Sequence, residues 1–286
     1  MSPFRPVVIV GAPRSGTNML RDVLCALPTF GTWPCDEINY VWRHGNVRFP
    51  SDEFPPALAR PEVVRYVRGR FAARRRRLGG AEIVEKTCAN SLRVGFVDRI
   101  VPEARYLFIR RDGMDAVASA LERWAAPAEW RYLARKARFV PVTDLPYYGG
   151  RYLVNRVYKL VSGRRRLAFW GPALDDMRGL LERHPLEEVC ALQWQRCVDR
   201  SRADLASIAP ERRLEVVYED FVARPPEELA RILDFVQADA DGQALARATA
   251  TVNARSVGRG RAWLGPDTVA RLEGLVGGTL AALGYR

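Results

Sequence analysis

The feature that most constrains the fold of this chain is a run of four β-branched residues that leads directly into a loop bracketed by glycines. Val7–Val10 has the uninterrupted apolar pattern of a strand buried on both faces, which is typical of a parallel sheet. Gly11 and Gly16 enclose a short polar loop, and apolar residues resume at helical spacing from Leu20. A strand, a glycine-rich loop and a helix together present backbone N–H groups to a phosphate. The sequence therefore predicts an anion-binding loop.

The loop differs from the P-loop of kinases and NTPases at one position. That motif ends in Gly-Lys-Ser/Thr, whereas Thr17 stands where the lysine belongs and Arg14 lies inside the loop. Hydrogen-bond donors are still dense here, and the predicted anion-binding residues are Arg14, Ser15, Gly16, Thr17 and Asn18. The alternative is a strand-to-helix turn without a ligand.

Three further strands are predicted, over residues 81–85, 105–109 and 214–218. Helices are predicted over 62–77, 91–100, 114–124, 186–208, 225–236 and 266–283, with a polar loop over 253–261. Alternating strands and helices indicate an α/β fold of three layers with a central parallel sheet. No linker or repeat divides the chain, so residues 1–286 are expected to form one domain. Ligands of such sheets bind beyond the carboxyl ends of the strands, where polar residues follow each strand.

Residues 125–185 differ in composition from the rest of the chain. Aromatic residues are interleaved there with arginine, proline and glycine. We expect a mostly helical insertion that shapes a substrate site, with a purely structural lobe as the alternative.

The charge balance of the chain is strongly basic. Its 45 lysines and arginines exceed its 33 acidic residues by 12 charges, and only three of the cations are lysines. Such a balance favours anionic ligands. The sequence contains no nucleic-acid-binding module and no basic–aromatic repeat, so we expect no nucleic-acid partner.

Cysteine and histidine usage excludes some other classes of protein. The five cysteines are scattered without a Cys-x-x-Cys pair, and there are two histidines. This pattern suits a reducing cytoplasm and predicts neither a disulfide framework nor a metal site. No apolar run approaches the length of a membrane span, and the six residues before the first strand are too few for a signal peptide.

Two motifs carry a resemblance to a known family. Residues 11–17, Gly-Ala-Pro-Arg-Ser-Gly-Thr, closely resemble the 5′-phosphosulfate loop of sulfotransferases that use 3′-phosphoadenosine-5′-phosphosulfate (PAPS), and look more like the carbohydrate and tyrosylprotein branches than the cytosolic aryl branch. The run from Arg111 to Ser119 resembles the 3′-phosphate motif of the family at the same spacing, although Gly113 stands where the family often has proline. Arg110 is a rival to Arg111. The resemblance implies a P-loop-like fold, PAPS as the donor, adenosine 3′,5′-bisphosphate as the product, and no metal.

The resemblance also implies catalytic residues. Removing the proton of an acceptor hydroxyl requires a base, and the related carbohydrate and tyrosylprotein enzymes use a glutamate in the segment where Glu37 stands. Asp36 is the main competitor and His44 a weaker one. Lys86, in a Glu-Lys-Thr segment like that of related sulfotransferases, would contact the transferring group together with Arg14, unless it forms a surface ion pair with the preceding glutamate.

Two weaker matches complete the cofactor site. Tyr218 begins a Tyr-Glu-Asp-Phe segment that is similar to one near the nucleotide in the family, although a core tyrosine is the alternative. Ser256, Gly258 and Arg259 occupy the position of the basic glycine loop that helps to hold the 3′-phosphate, without its Arg-Lys-Gly run.

The resemblance therefore implies transfer of a sulfuryl group from PAPS to an acceptor hydroxyl, which we expect on a saccharide or a glycosylated metabolite. An ATP-dependent kinase with an altered P-loop and a non-catalytic module that binds nucleotides or polyanions are the alternatives. A requirement for Mg²⁺ and ATP would distinguish the first of these.

Overall fold

A computed structural model of the protein describes residues 4–125, 140–146 and 170–285. The strands in these ranges are β1 (Val7–Val10), β2 (Phe30–Gly31), β3 (Glu82–Lys86), β4 (Arg105–Arg110) and β5 (Arg213–Val217). The helices are α1 (Thr17–Cys25), α2 (Asn39–Trp42), α3 (Pro61–Arg77), α4 (Val94–Ile100), α5 (Gly113–Ala125), α6 (Met177–Arg183), α7 (Leu186–Ala206), α8 (Tyr218–Ala223), α9 (Pro225–Val236), α10 (Gly242–Thr249), α11 (Arg259–Leu264) and α12 (Pro266–Ala282).

The five strands form one parallel sheet in the order β2-β3-β1-β4-β5. Ile9 of β1 pairs with Lys86 of β3 and with Leu107 of β4, so the carboxyl ends of the central strands meet at one edge. All four residues of β1 are buried, and alternate side chains contribute to two separate apolar clusters. Helices therefore cover both faces of the sheet, which confirms the predicted three-layer α/β fold.

Two predicted boundaries are wrong near the end of the sheet. The strand predicted over 214–218 ends at Val217, and Tyr218 instead begins α8. Two acidic residues in the first turn of α8 favour a helix N-terminus at this point. The polar loop predicted over 253–261 ends at Gly258, because Arg259 begins α11.

Other differences concern short elements. The helix predicted over 91–100 begins at Val94, because Cys88–Leu92 forms a 3-10 helix instead. β2, α2 and α10 were not predicted. With only two residues at the edge of the sheet, β2 is too short to show an alternating pattern.

The insertion predicted over 125–185 lies largely outside the described residues, and its structure and role stay predictions. None of the helices in the described ranges combines the length and the apolarity that a membrane span requires. No group of three or more His, Cys, Asp or Glu residues in the same ranges could hold a metal ion.

Candidate active site

The loop between β1 and α1 is held tightly at the carboxyl edge of the sheet. Gly16 has a φ of +89°, and a Cβ atom there would lie 2.5 Å from Cδ2 of Tyr218. Gly11 approaches β4 so closely that a Cβ would lie 2.6 Å from the carbonyl oxygen of Ile109. Arg14 also has a positive φ, of +69°, which is uncommon for a residue other than glycine. The backbone geometry thus fixes one loop conformation.

This loop presents hydrogen-bond donors that the protein itself leaves unused. Gly16 is the N-cap of α1 and supplies no side-chain cap, and the first N–H groups of a helix have no intrahelical acceptor. The Ser15 side chain is fully buried, and its Oγ has no hydrogen-bond partner among the described residues. Thr17 and Asn18 follow in the first turn. Unpaired donors at a helix N-terminus favour binding of an anion.

Lys86, the last residue of β3, bridges two carboxylates. Its Nζ atom lies 3.1 Å from Oε1 of Glu37 and 3.3 Å from Oδ1 of Asp36, and its side chain is only 1% exposed. We call these three residues the lysine cluster. Burial would lower the pKa of Lys86, but the Glu37 and Asp36 carboxylates reverse this effect and hold the pKa above its usual value. Lys86 is therefore a buried cation.

The two carboxylates of the lysine cluster have different surroundings. Asp36 also accepts a hydrogen bond from Nη1 of Arg21 at 2.6 Å. Burial raises the pKa of Asp36, but Lys86 and Arg21 outweigh it and leave the pKa below its usual value. Glu37 shares Lys86 and accepts a hydrogen bond from the backbone N–H of Cys88 at 3.3 Å. Two cations thus reduce the basicity of Asp36.

Glu85, which precedes Lys86 in β3, lies in the core. Its carboxylate is fully buried and accepts hydrogen bonds from Nε1 of Trp42, Oγ1 of Thr87 and Nδ2 of Asn90. Burial raises the pKa of Glu85. Side chains alternate along a strand, so Glu85 points away from Lys86, and the alternative of a surface ion pair between them is wrong.

A second group of predicted residues surrounds the end of β4. We call Arg14, Arg111, Ser119, Tyr218 and Ser256 the arginine cluster. Arg14 donates from Nε to Oγ of Ser119 at 2.9 Å. Arg111 donates to the carbonyl oxygens of Arg14 at 3.1 Å and Ser256 at 2.7 Å, and its Cζ lies 4.4 Å from the ring centroid of Tyr218. Hydroxyls of Tyr218 and Ser256 are 2.9 Å apart.

Electrostatics in the arginine cluster favour a bound anion. Burial lowers the pKa of Arg14, and the nearby charges of Arg111 and Arg123 lower it further. The Nε of Arg111 is buried without a hydrogen-bond partner among the described residues. Arg110 points elsewhere: it pairs with Glu215 at 2.5 Å and donates to the carbonyl oxygen of Leu283. Of the two rivals, Arg111 alone joins this cluster.

The loop between β1 and α1, which carries Arg14 of the arginine cluster, also reaches the lysine cluster. Oγ1 of Thr17 lies 3.7 Å from Sγ of Cys88, whose backbone N–H binds Glu37 of the lysine cluster. Burial raises the pKa of Cys88, so its thiol stays protonated. All five cysteines are free. His44 lies apart, with Nδ1 2.9 Å from Asp144 and its ring stacked on Tyr66.

Sequence reasoning assigned no individual role to two residues that hold the arginine cluster. Asp115 of α5 accepts hydrogen bonds from the backbone N–H groups of Gly258 at 2.8 Å and Gly260 at 2.6 Å. Glu219 accepts one from the N–H of Asp112, next to Arg111, and one from the hydroxyl of Tyr285. The sequence signals for them were their positions within two matched segments, Asp115 in the run from Arg111 to Ser119 and Glu219 in the segment that begins at Tyr218.

A cleft of about 530 Å³ opens beside the arginine cluster. Residues of α1 and of the end of α10 line the cleft, together with Tyr218 and Ser256, which both contact Arg111. Arg259 is exposed at the start of α11 and has no ion-pair partner among the described residues. The volume of the cleft lies in the range of small-molecule sites.

Comparison with known proteins agrees with this geometry. A sequence model described as "Sulfotransferase family" matches residues 6–148 and 155–242, most of the chain. Sulfotransferase STF9 from Mycobacterium avium has a similar structure, with a TM-score of 0.57 at 14% identity over 100% of this chain and 78% of that one. A sulfotransferase domain from the curacin biosynthetic pathway has a TM-score of 0.52 at 13% identity, over 94% and 83%. These likenesses show the fold. No curated protein matches the chain by sequence.

Proposed function

The chain belongs to the sulfotransferase family and is thus an enzyme of sulfuryl transfer, and we propose that it moves the sulfuryl group of PAPS to an acceptor hydroxyl with Glu37 as the general base. The observation that carries this proposal is the lysine cluster directly beside the donor-rich loop. A cation and a base are thereby held next to the predicted position of the phosphosulfate.

The donor is held by the two clusters. The phosphosulfate lies on the loop from Arg14 to Asn18, whose unpaired donors include Ser15 Oγ. The 3′-phosphate lies at Arg111, Ser119 and Arg259, and the adenosine fills the cleft beside Tyr218. Support comes from two buried atoms of the site, Ser15 Oγ and Arg111 Nε, which have no hydrogen-bond partner among the described residues and would gain one from a bound anion.

Transfer is a single in-line displacement at sulfur. The acceptor oxygen forms a bond to sulfur while the bond between sulfur and the bridging phosphate oxygen breaks, and adenosine 3′,5′-bisphosphate leaves. Glu37 takes the acceptor proton. Lys86 and Arg14 stabilise negative charge on the sulfuryl oxygens and the departing phosphate, the role that cations have in phosphoryl transfer. No step in this scheme assigns a role to a metal.

Glu37 is the better base of the two carboxylates. Asp36 is paired with Arg21 as well as Lys86, and its pKa is lowered. A carboxylate with a lowered pKa is a weak proton acceptor. Glu37 pairs with Lys86 and accepts a hydrogen bond from the backbone N–H of Cys88, and about a fifth of its side chain is exposed to an incoming acceptor.

The acceptor is proposed to be a saccharide or a glycosylated metabolite. The likeness of the loop and of the Glu37 position to the carbohydrate branch supports this class, as do the aromatic residues of 125–185, since aromatic rings stack on sugar faces. We further propose that residues 1–286 form one domain in which that insertion shapes the acceptor site. The five free cysteines suit a reducing compartment, and we infer that the enzyme acts in the cytoplasm.

Ligand-dependent thermal stability tests the donor. Adenosine 3′,5′-bisphosphate at a hundred times its Kd should stabilise the protein by about 2.7 kcal/mol, which raises Tm by about 5 °C. ATP with Mg²⁺ is the comparison. A shift with ATP and Mg²⁺ alone would favour the kinase instead. Transfer of ³⁵S from labelled PAPS to a panel of glycosides and phenols then identifies the acceptor, and binding without any transfer would favour a non-catalytic module.

A further inference from the structure

Asp115 holds the loop that carries Arg259. It lies in the first turn of α5 and is only 4% exposed. Each carboxylate oxygen binds a different backbone N–H of the loop: Oδ2 binds Gly258 at 2.8 Å, and Oδ1 binds Gly260 at 2.6 Å. Arg259 stands between these two donors in the sequence, so one buried side chain fixes the backbone on both sides of it.

The loop fits this carboxylate closely. Gly258 has a φ of +73°, which turns the chain into α11. Gly260 packs so tightly on α5 that a Cβ would lie 2.4 Å from the backbone of Met114. Hydrogen bonds from backbone N–H groups to a charged carboxylate are stronger than those to neutral acceptors. The position of Arg259 therefore depends on a residue about 140 positions away in the chain.

The charge of Asp115 is unexpected at this place. One of its oxygens lies 3.6 Å from Nη2 of Arg111, at the proposed position of an anion. On Coulomb's law alone, a carboxylate here weakens the attraction of the site for phosphate. Its contribution to binding must therefore come from the geometry that it imposes on the loop.

We propose that Asp115 is a positioning residue for the 3′-phosphate of the cofactor, which it serves by holding Arg259 and the Ser256–Gly260 backbone against Arg111. This inference rests on the proposed function, because it takes the 3′-phosphate to lie at the arginine cluster. Removing the charge of Asp115 should weaken binding of the 3′-phosphate if the residue positions the loop, and should strengthen it if simple electrostatics dominates.

Two nucleotides separate these effects by calorimetry. Adenosine 3′,5′-bisphosphate and adenosine 5′-phosphate differ only in the 3′-phosphate. The Kd of the 5′-phosphate divided by the Kd of the bisphosphate therefore measures the contribution of that group alone. Asp115→Asn should reduce this ratio about tenfold or more, because one N–H loses a charged acceptor and faces an amide donor. The affinity for adenosine 5′-phosphate should stay within about threefold of that of the wild type.

Glu122→Gln is the matched control. Glu122 lies on the same helix, is exposed, and acts on the site through its charge near Arg14. Its removal should leave the ratio unchanged or raise it slightly. An unchanged or raised ratio in Asp115→Asn would overturn the proposal in favour of simple electrostatics.

A loop variant covers the case in which Asp115→Asn does not fold. Gly260→Ala displaces the same loop from α5 while the carboxylate stays, so it should lower the ratio as well, and an unchanged ratio there overturns the proposal. If the wild type binds both nucleotides equally, the proposed cofactor site itself fails, which is a different outcome from an unaltered ratio in the variants.

Discussion

Replacing Glu37 with glutamine should remove the base and leave the site otherwise intact. The glutamine keeps an oxygen that can accept from Lys86 Nζ, 3.1 Å away, and from the N–H of Cys88, 3.3 Å away. Lys86 keeps its second partner, Asp36, at 3.3 Å. The loop and the buried cation should therefore stay in place, and the loss is that of one proton acceptor.

The expected size of the loss follows from that role. General base catalysis contributes about 10²- to 10⁴-fold, so kcat of Glu37→Gln should fall by that factor, which is about 3 to 5 kcal/mol of transition-state stabilisation. Asp36→Asn is the matched comparison, since it makes the same change one residue earlier. Its oxygen can still accept from Arg21 and Lys86, and its kcat should fall by less than about tenfold.

Initial rates of ³⁵S transfer from saturating PAPS, with the acceptor that the wild type accepts best, measure both variants. Calorimetry with adenosine 3′,5′-bisphosphate should give a Kd within about threefold of the wild type for each, as a check that the donor site is unchanged. The assignment of Glu37 is refuted if its glutamine variant keeps more than a fifth of the wild-type rate, or if Asp36→Asn is the slower of the two.

Three further outcomes are expected. Gly16→Ala should cost about 2 kcal/mol or more of unfolding free energy in urea and abolish bisphosphate binding, because its φ is +89° and its Cβ would meet Tyr218 at 2.5 Å; wild-type affinity would contradict a fixed loop. Tyr218→Phe should weaken bisphosphate binding about fivefold by calorimetry, since it loses about 1 kcal/mol with the hydroxyl contact to Ser256; unaltered affinity would place that contact outside the site. Glu85→Gln should cost about 1 to 3 kcal/mol in urea unfolding, because its amide would face the amide of Asn90. Burial raises the pKa of Glu85 in the folded protein, so the stability that the wild-type carboxyl contributes is fully present below the pKa of the unfolded chain, about 4.3, and is lost as pH rises through the folded pKa. A difference in unfolding free energy between wild type and Glu85→Gln that widens with pH would refute this.

The sequence allowed the central features of the fold to be predicted because they are local. Val7–Val10 and the loop after it show the strand, the turn and the helix start within fourteen residues. The three-layer arrangement follows from the alternation of such units. The same local signals placed Lys86 at the end of a strand, where it lies.

Contacts between distant segments could not be predicted in this way. Nothing near Asp115 in the sequence indicates that its carboxylate accepts hydrogen bonds from two glycine N–H groups more than 140 residues later. The pairing of Asp36 with Arg21, which distinguishes it from Glu37, likewise depends on how α1 packs beside the following loop. The roles of these residues remain proposals that the variants above test.

The contact between Lys86 and Glu37 has a consequence for hydrolysis of the sulfuryl donor by water. With the donor bound and no acceptor present, a water molecule near sulfur would meet the proposed base, Glu37, already paired with the Lys86 ammonium group at 3.1 Å. Water makes too few contacts with the protein to offset the loss of that ion pair. A saccharide binds through its whole molecule, and this binding free energy can offset the loss. With the roles proposed for Glu37 and Lys86, this ion pair should keep hydrolysis of the activated sulfate slow until the acceptor hydroxyl is in place.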